Sequence, residues 1–131
     1  MIIVDSSVWI DYFNGKNTPQ GDRLDELLGV ELIGIGDIIL TEVLQGFRDD
    51  KDYREAKQVL TSLTVFNMLG LEIAIKSAAN FRTLRKQGIT IRKTNDVMIA
   101  TFCLENNHSL LFSDKDFIPF VDYLGLDSAL D

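Results

Sequence analysis

The sequence predicts an α/β protein in which helices cover both faces of an open parallel sheet. Short apolar segments typical of buried strands alternate along the chain with longer segments of helical periodicity. This alternation is typical of strand–helix–strand units, whose strands run parallel. A chain of 131 residues can bury a core of its own, and the sequence has no repeat, linker or break in composition. We therefore expect residues 1–131 to form one domain.

The first half of the chain supplies two predicted strands and three predicted helices. Residues 1–4 predict a buried strand, and the helix that follows can be capped by Ser6 or Ser7 and stopped by Gly15. We then expect a short helix in TPQGDRLDELLGV, a strand in ELIGIG and a helix in IILTEVLQGF. Asp37 is a good N-cap for the last of these.

The second half continues the alternation. Helical spacing connects Tyr53, Ala56, Leu60 and Leu63, and one face of an amphipathic helix in LEIAIKSAANFRTLRKQG carries Ala74, Ala78, Phe81 and Leu84. TVFNM predicts a short strand, and SLLFS predicts a strand of the kind found inside parallel sheets. TNDVMIATFCLENN is apolar nearly all round, which predicts a helix that is mostly buried.

Cysteine content and hydropathy indicate the compartment. Cys103 is the one cysteine and has no partner for an internal disulfide, and the N-terminus lacks the pattern of a secretory signal. No stretch approaches the roughly 18 consecutive apolar residues that a membrane span needs. We therefore expect a soluble protein of the reducing cytoplasm.

The net charge of −7 argues at first against a nucleic-acid partner, because phosphate binding usually relies on excess Lys and Arg. The objection depends on where the acids lie. If five of the 20 acids form one metal site, the other 15 against 13 bases leave a net charge of only −2. Net charge alone does not decide the class of partner.

Three acids stand where an active site of such a fold is expected, and two more acids in apolar helices complete a set of five. Ligands bind at the carboxyl ends of parallel strands. Asp5 follows the first predicted strand, and Asp114 and Asp116 follow the last. Glu42 and Asp96 lie within predicted helices whose surroundings are otherwise apolar.

Each acid also has a purely structural interpretation. Asp5 can cap the first helix, Glu42 can share a solvent-facing stripe with its polar neighbours, Asp96 can favour the helix dipole, and Asp114 and Asp116 can belong to a turn. Buried carboxylates are costly unless they are paired or metal-bound, so a common site explains several of them at once. Oxygen ligands of this kind suit Mg²⁺ or Mn²⁺.

Other catalytic designs fit less well. His108 is the one histidine and follows an Asn-Asn pair, so we expect a surface residue and not a general base. Cys103 is best explained as a core residue. Basic residues cluster just before Asp96. The cluster can be a solvated surface, or it can be an RNA-binding surface that leads to Asp96. Its members are Arg82, Arg85, Lys86, Arg92 and Lys93.

Four segments taken together resemble the PIN-domain family, and within it the VapC-like toxins of toxin–antitoxin pairs. They are IIVDSSVWIDYF, TEVLQGF, FRTLRKQGITIRKTNDVMIAT and LLFSDKDF. The resemblance implies a small three-layer α/β/α fold and an endoribonuclease that depends on Mg²⁺ or Mn²⁺. It also implies a homodimer that is silenced by a cognate antitoxin protein.

The resemblance also implies roles for individual residues. The family's acidic quartet falls on Asp5, Glu42, Asp96 and Asp114, with Asp116 as a frequent fifth acid. Ser7 matches the hydroxyl residue that supports the site, which leaves Ser6 as the simple helix cap, and Asn95 occupies a position at which the family varies. Asp5, Asp96 and Asp114 would hold one ion, while Glu42 and Asp116 would help to hold a second ion or orient water.

Two alternatives stay open at this point. The first is a non-catalytic PIN-like module that binds RNA or protein without cutting. The second is an aspartyl-phosphate enzyme of the haloacid-dehalogenase type or a receiver domain, both of which place an acid after a parallel strand. The dehalogenase type needs a second Asp two residues after the first, and Ser7 occupies that position. A receiver needs its acceptor after a later strand.

Overall fold

The computed structural model of the protein describes residues 1–30 and 32–130. Its sheet has four parallel strands in the order β3-β2-β1-β4, which confirms the predicted α/β class with a parallel sheet. The strands are β1 (Ile2–Val4), β2 (Ile33–Gly36), β3 (Thr64–Phe66) and β4 (Ser109–Leu111).

Helices flank the sheet and occupy most of the remaining chain. They are α1 (Ser6–Phe13), α2 (Pro19–Leu27), α3 (Asp37–Leu44), α4 (Asp50–Thr61), α5 (Leu71–Lys86), α6 (Thr94–Glu105) and α7 (Ile118–Leu124). A short 3-10 turn, Lys115–Phe117, leads from β4 into α7. Within the described ranges, no helix is both long enough and apolar enough to cross a membrane.

The core lies between the central strands and the helices packed on them. Ile3 and Val4 of β1 and Leu110 and Leu111 of β4 are fully buried. Helix α6 buries seven of its residues, including Cys103, as its apolar sequence predicts. Gly36 of β2 allows the chain after β3 to lie close to the sheet, because a Cβ at this position would clash with the Met68 side chain.

Two predicted helix caps are wrong. Asp5, not Ser6, is the N-cap of α1, because Asp5 keeps the extended backbone of the strand and accepts a hydrogen bond from the Ser7 amide. Gly36, not Asp37, is the N-cap of α3. The Asp37 carboxylate instead accepts hydrogen bonds from the amides of Ile38, at 2.9 Å, and Met68, at 3.0 Å. It thereby attaches the segment after β3 to the start of α3.

The predicted apolar face of α5 is only partly buried. Leu84 is fully buried and Phe81 is half-buried, but Ala74 and Ala78 are exposed, and Ser77 is buried in their place. The physical reason is that α5 packs mainly against α6, which covers a narrow strip of its surface.

His108 is not the free surface residue that the sequence predicts. It is half-buried, and its ring packs against Phe66 and Phe102 with centroids 5.2 and 5.6 Å away. His108 directly precedes β4 and so lies at the amino end of that strand, whereas the predicted acids follow the carboxyl ends.

Candidate metal centre

The carboxyl ends of β1 and β4 lie side by side at the centre of the sheet. Val4 is in register with Leu111, and the Asp5 amide donates a hydrogen bond to the Leu111 carbonyl at 2.8 Å. The chain runs from β1 through β2 to β3 on one side of β1, and then crosses to place β4 on the other. Such a reversal of strand order opens a crevice at the carboxyl ends, and Asp5 and Asp114 enter it from its two sides.

Asp5 is held by the first turn of α1 and is almost completely buried, with 3% of its surface exposed. Its Oδ2 accepts hydrogen bonds from the Ser7 hydroxyl at 2.7 Å and the Ser7 amide at 3.3 Å. Its Oδ1 has no hydrogen-bond partner among the described residues. Burial raises the pKa of Asp5, and the charge of Glu42 raises it further against the opposing hydrogen bonds from Ser7.

Asp96 lies in the first turn of α6 and is 4% exposed. Burial raises its pKa from 3.8 to about 7, and the charges of Asp5, Asp114 and Glu42 contribute, while Lys93 acts in the opposite direction. Its Oδ2 finds no hydrogen-bond partner in the part of the chain that is described. A bound cation would offset the neighbouring negative charges that help to raise this pKa.

Asp114 and Asp116 belong to the 3-10 turn after β4. Asp114 caps this turn, its Oδ1 accepting from the Asp116 amide at 2.9 Å. Burial alone would raise the pKa of Asp114, but that amide and the Lys93 ammonium outweigh it and hold the pKa below its usual value. Carboxylate oxygens of Asp96, Asp114 and Asp116 lie within 4.8 Å of one another.

Glu42 projects from α3 and is half-buried, whereas its neighbours Thr41 and Gln45 are exposed. Its Oε1 is buried and makes no hydrogen bond to any described residue. The charge of Glu42 raises the pKa of both Asp5 and Asp96, which places it in the same electrostatic cluster. The structure thus brings all five predicted acids to one end of the sheet.

The donor set fits a hard divalent cation. Three of the five acids each present a buried carboxylate oxygen that lacks a hydrogen bond within residues 1–30 and 32–130: Asp5, Glu42 and Asp96. Oxygens left in this way are costly unless a proton, a water molecule or a cation satisfies them, and a cation would serve several at once. The three most closely spaced carboxylates are those of Asp96, Asp114 and Asp116, so the assignment of ligands to individual ions stays a prediction.

Two of the predicted basic residues reach the acids directly. Lys93 Nζ lies 3.1 Å from Asp114 Oδ2, and Arg92 Nη2 lies 3.3 Å from Asp116 Oδ2. The hydrogen bond to Asp114, with the fields of Asp114, Asp96 and Asp116, raises the pKa of Lys93. The sequence predicts that these side chains face RNA or solvent, and it does not predict their contacts with carboxylates. Their position just before Asp96 is the one sequence feature that indicates such contacts.

The other basic residues lie on α5. Arg82 and Arg85 border a mostly apolar groove of about 480 Å³ between α5 and α6 that also contacts Thr94. The Arg85 guanidinium lies 5.5 Å from the centre of the Phe81 ring. Lys86 is exposed in the last turn of α5. None of these three is paired with a carboxylate of the cluster in the described part of the chain.

Two further polar residues border the acids. The Ser113 hydroxyl, directly before Asp114, is buried without a hydrogen-bond partner among the residues described, and the sequence interpretation did not select it. The one feature of the sequence that points to Ser113 as a site residue is its place just after β4. Asn95 is exposed at the start of α6.

Known proteins resemble this chain over most of its length. The PIN domain family matches residues 2–120. The chain is similar to Ribonuclease VapC11 of Mycobacterium tuberculosis, with 27% identity over 131 residues covering 98% of each protein. It is also similar to Ribonuclease VapC1 of Methanocaldococcus jannaschii, with 30% identity over 125 residues covering 95% of this chain and 84% of the relative.

A solved structure shows the same fold. In a toxin–antitoxin complex from Klebsiella pneumoniae, one chain superposes with a TM-score of 0.74 at 17% identity, covering 98% of both chains. The resemblance noted from the four sequence segments is confirmed by the family match and by the VapC relatives. The chain belongs to the PIN domain family.

Proposed function

We propose that the chain is a divalent-metal-dependent endoribonuclease that hydrolyses RNA phosphodiester bonds as the toxin of a toxin–antitoxin pair. The observation that carries the proposal is the set of buried carboxylate oxygens without hydrogen-bond partners, among the described residues, on Asp5, Glu42 and Asp96. They lie where β1 and β4 end together. The relatives in this family are themselves named ribonucleases.

We propose that Asp5, Asp96 and Asp114 hold one Mg²⁺ or Mn²⁺, while Glu42 and Asp116 hold a second ion or orient water. When bound, such an ion lowers the pKa of water and offsets negative charge on a phosphate. Ser7 holds the Asp5 carboxylate in place through its hydroxyl. Arg92 and Lys93 supply positive charge beside the acids, and Arg82, Arg85 and Lys86 extend it along α5 as an RNA-binding surface.

Cleavage of a mixed single-stranded RNA in Mn²⁺ tests the catalytic part of the proposal. The wild type should cut, EDTA should stop it, and Asp5→Asn should lower the rate by at least about a hundredfold, because each ligand is needed to hold the ion. Asp122→Asn, which changes an exposed acid on α7, is the matched control and should cut normally. Products should carry 5′-phosphate ends.

The same assay separates the enzyme from a non-catalytic RNA or protein module. Trp9 is the only tryptophan and is buried, so its emission reports whether each variant is folded. A folded Asp5→Asn that still cuts would overturn the nuclease. Products ending in 2′,3′-cyclic phosphate would overturn hydrolysis by water.

We also propose an antitoxin partner. A negative crevice attracts an Arg or Lys from an inhibitor through charge-assisted hydrogen bonds. Induction of the wild type in cells should slow growth, and Asp5→Ala should not. Co-expression of a protein encoded beside this one should restore growth, and a failure of every such neighbour to do so would count against the pair.

We propose in addition that the chain forms a homodimer. The exposed side of α5 carries large apolar residues, with Leu71 77% and Ile75 62% exposed. Large apolar side chains exposed one turn apart on a helix are typical of a surface that contacts another protein. Light scattering should give the mass of a dimer for the wild type and of a monomer for Ile75→Glu. A monomeric wild type at high micromolar concentration would contradict the proposal.

A further inference from the structure

Two neighbouring cations face the two outer acids of the cluster. Lys93 Nζ is 3.1 Å from Asp114 Oδ2, and Arg92 Nη2 is 3.3 Å from Asp116 Oδ2. The basic side chains are 57% and 77% exposed, while their carboxylate partners are only 22% and 21% exposed. Each pair therefore joins a mostly exposed basic side chain to a mostly buried carboxylate.

The backbone of Lys93 is fixed to the site, while its ion-paired side chain is mostly exposed. Lys93 is the N-cap of α6, and its carbonyl accepts a hydrogen bond from the Asp96 amide at 3.1 Å. No side chain caps this helix end, although Thr94 and Asn95, which are better capping residues, follow immediately. The helix thus begins one residue earlier than it would if Thr94 were its N-cap. As a result, Lys93 lies beside the acids.

The contact with Lys93 uses the one oxygen of Asp114 that the backbone leaves available. Asp114 Oδ1 already accepts from the Asp116 amide, so Oδ2 is the less occupied oxygen of this carboxylate, and the ammonium lies beside it. An ammonium and a divalent ion bound to one carboxylate repel each other. Lys93 and the metal therefore compete for the Asp114 carboxylate.

The displaced ammonium has another anion within reach. A phosphate that approaches the acidic cluster brings negative charge to the same place, and lysine meets phosphate as a point charge with three donors on a flexible stem. A lysine transferred from carboxylate to phosphate keeps a partner throughout. Arg92 is placed to do the same from Asp116.

We propose that Lys93, assisted by Arg92, is an exchangeable internal cation that occupies Asp114 until a divalent ion and an RNA phosphate replace it together. This inference rests on the proposed metal-dependent action on RNA and adds a positioning residue to it. The phosphate accepts the ammonium that the metal displaces, so each ligand favours the other. Coupling of this kind is reciprocal: RNA tightens metal binding by the same factor as metal tightens RNA binding.

Mn²⁺ titration followed by electron paramagnetic resonance tests the competition without any turnover. Lys93→Met should tighten Mn²⁺ binding about two- to fivefold, the size expected from losing one exposed ion pair. Lys93→Arg should bind as the wild type does, because it keeps the charge. Lys76→Met is the matched control, since Lys76 forms an ion pair with Glu105 at 2.9 Å, outside the cluster.

A second titration tests the exchange. The probe is a 12-nucleotide 2′-O-methyl RNA, whose integrity is checked on a gel after each measurement. It should tighten Mn²⁺ binding about threefold for the wild type and Lys93→Arg, and the tightening should disappear in Lys93→Met. The slope of RNA affinity against salt should fall by about one in the same variant, as for the loss of one phosphate contact.

The outcomes separate this inference from the proposed function. A wild type that binds no Mn²⁺ overturns both. If the wild type binds Mn²⁺ but Lys93→Met binds it with equal or lower affinity, only the inference about Lys93 is overturned. The same holds if the gain in Mn²⁺ affinity is no larger in Lys93→Met than in Lys76→Met. Urea unfolding followed by Trp9 emission shows that the variants compared are folded.

Discussion

Replacing Asp96 by Asn should stabilise the metal-free protein at neutral and alkaline pH. Asp96 is buried, and its pKa is raised from 3.8 to about 7, so the fold favours the protonated carboxyl group. An amide has similar shape and no charge. The variant therefore keeps the packing of Asp96 and removes the cost of ionising it within the fold.

The size and pH range of the effect follow from proton linkage. Between pH 3.8 and about 7 the Asp96 carboxyl group binds more protons in the folded protein than in the unfolded chain, so its contribution to the free energy of unfolding falls as pH rises through this window. At about 1.4 kcal/mol for each pH unit, the full difference is about 4 kcal/mol. Below pH 3.8 both states are protonated, and the variant has no advantage.

Urea unfolding in EDTA at pH 4, 6 and 8.5 measures the effect, with the emission of the buried Trp9 as the signal. Asp96→Asn should match the wild type at pH 4 and exceed it by up to about 4 kcal/mol at pH 8.5. Saturating Mn²⁺ should reverse the order, because only the wild type gains a full set of ligands. Asp122→Asn should follow the wild type throughout.

Two results would refute this reasoning. One is an advantage of the wild type over Asp96→Asn that grows between pH 4 and pH 8.5 in EDTA. The other is a deficit of Asp96→Asn that is the same at every pH. Either result would mean that the fold does not raise the pKa of Asp96.

Three further substitutions test other parts of the structure by urea unfolding. Ser7→Ala removes the hydroxyl that donates to Asp5 at 2.7 Å, so it should cost about 1–2 kcal/mol and raise the pKa of Asp5 further. Asp37→Ala leaves the amides of Ile38 and Met68 without their acceptor and should cost about 1–3 kcal/mol. Leu84→Ala empties a fully buried position on α5 and should cost about 2–5 kcal/mol.

Each of the three has a matched control. Ser6→Ala should be nearly neutral, since Asp5 caps the helix. Asp37→Asn keeps an acceptor oxygen and should lose less stability than Asp37→Ala. Leu71→Ala, at an exposed position on α5, should change stability by no more than about 0.5 kcal/mol. A control that loses as much as its partner would show that the contact described is not the cause.

The sequence was sufficient to predict a parallel sheet with acids at its carboxyl edge. Parallel strands end at one edge, so an acid after β1 and two acids after β4 share that edge. The pairing of β1 with β4, which the sequence did not predict, makes them neighbours. The place of Asp96 in the acidic cluster could also be predicted, because a charged residue in an otherwise apolar helix is easily recognised in the sequence.

The contacts that the sequence did not predict depend on distances between separate segments. Periodicity showed that Ala74 and Ala78 share a face with Leu84, but small residues suit either a packed or an open surface. Lys93 and Asp114 are 21 residues apart, and only the fold makes them neighbours. The two N-cap predictions were wrong for a related reason. The carboxylates of Asp5 and Asp37 can each accept from several backbone amides, and the sequence does not show which amides lie nearby.

The pairing of β1 with β4 also determines when the acidic cluster can exist. Residues 2–4 of the chain pair with residues 109–111, so this contact forms between segments that are synthesised far apart in time. A nascent chain that ends before Asp116 lacks at least one of the five acids and cannot assemble the complete cluster. Contacts of such long sequence separation also form slowly. During translation, a growing copy of this protein therefore carries an incomplete acid cluster until synthesis has passed Asp116.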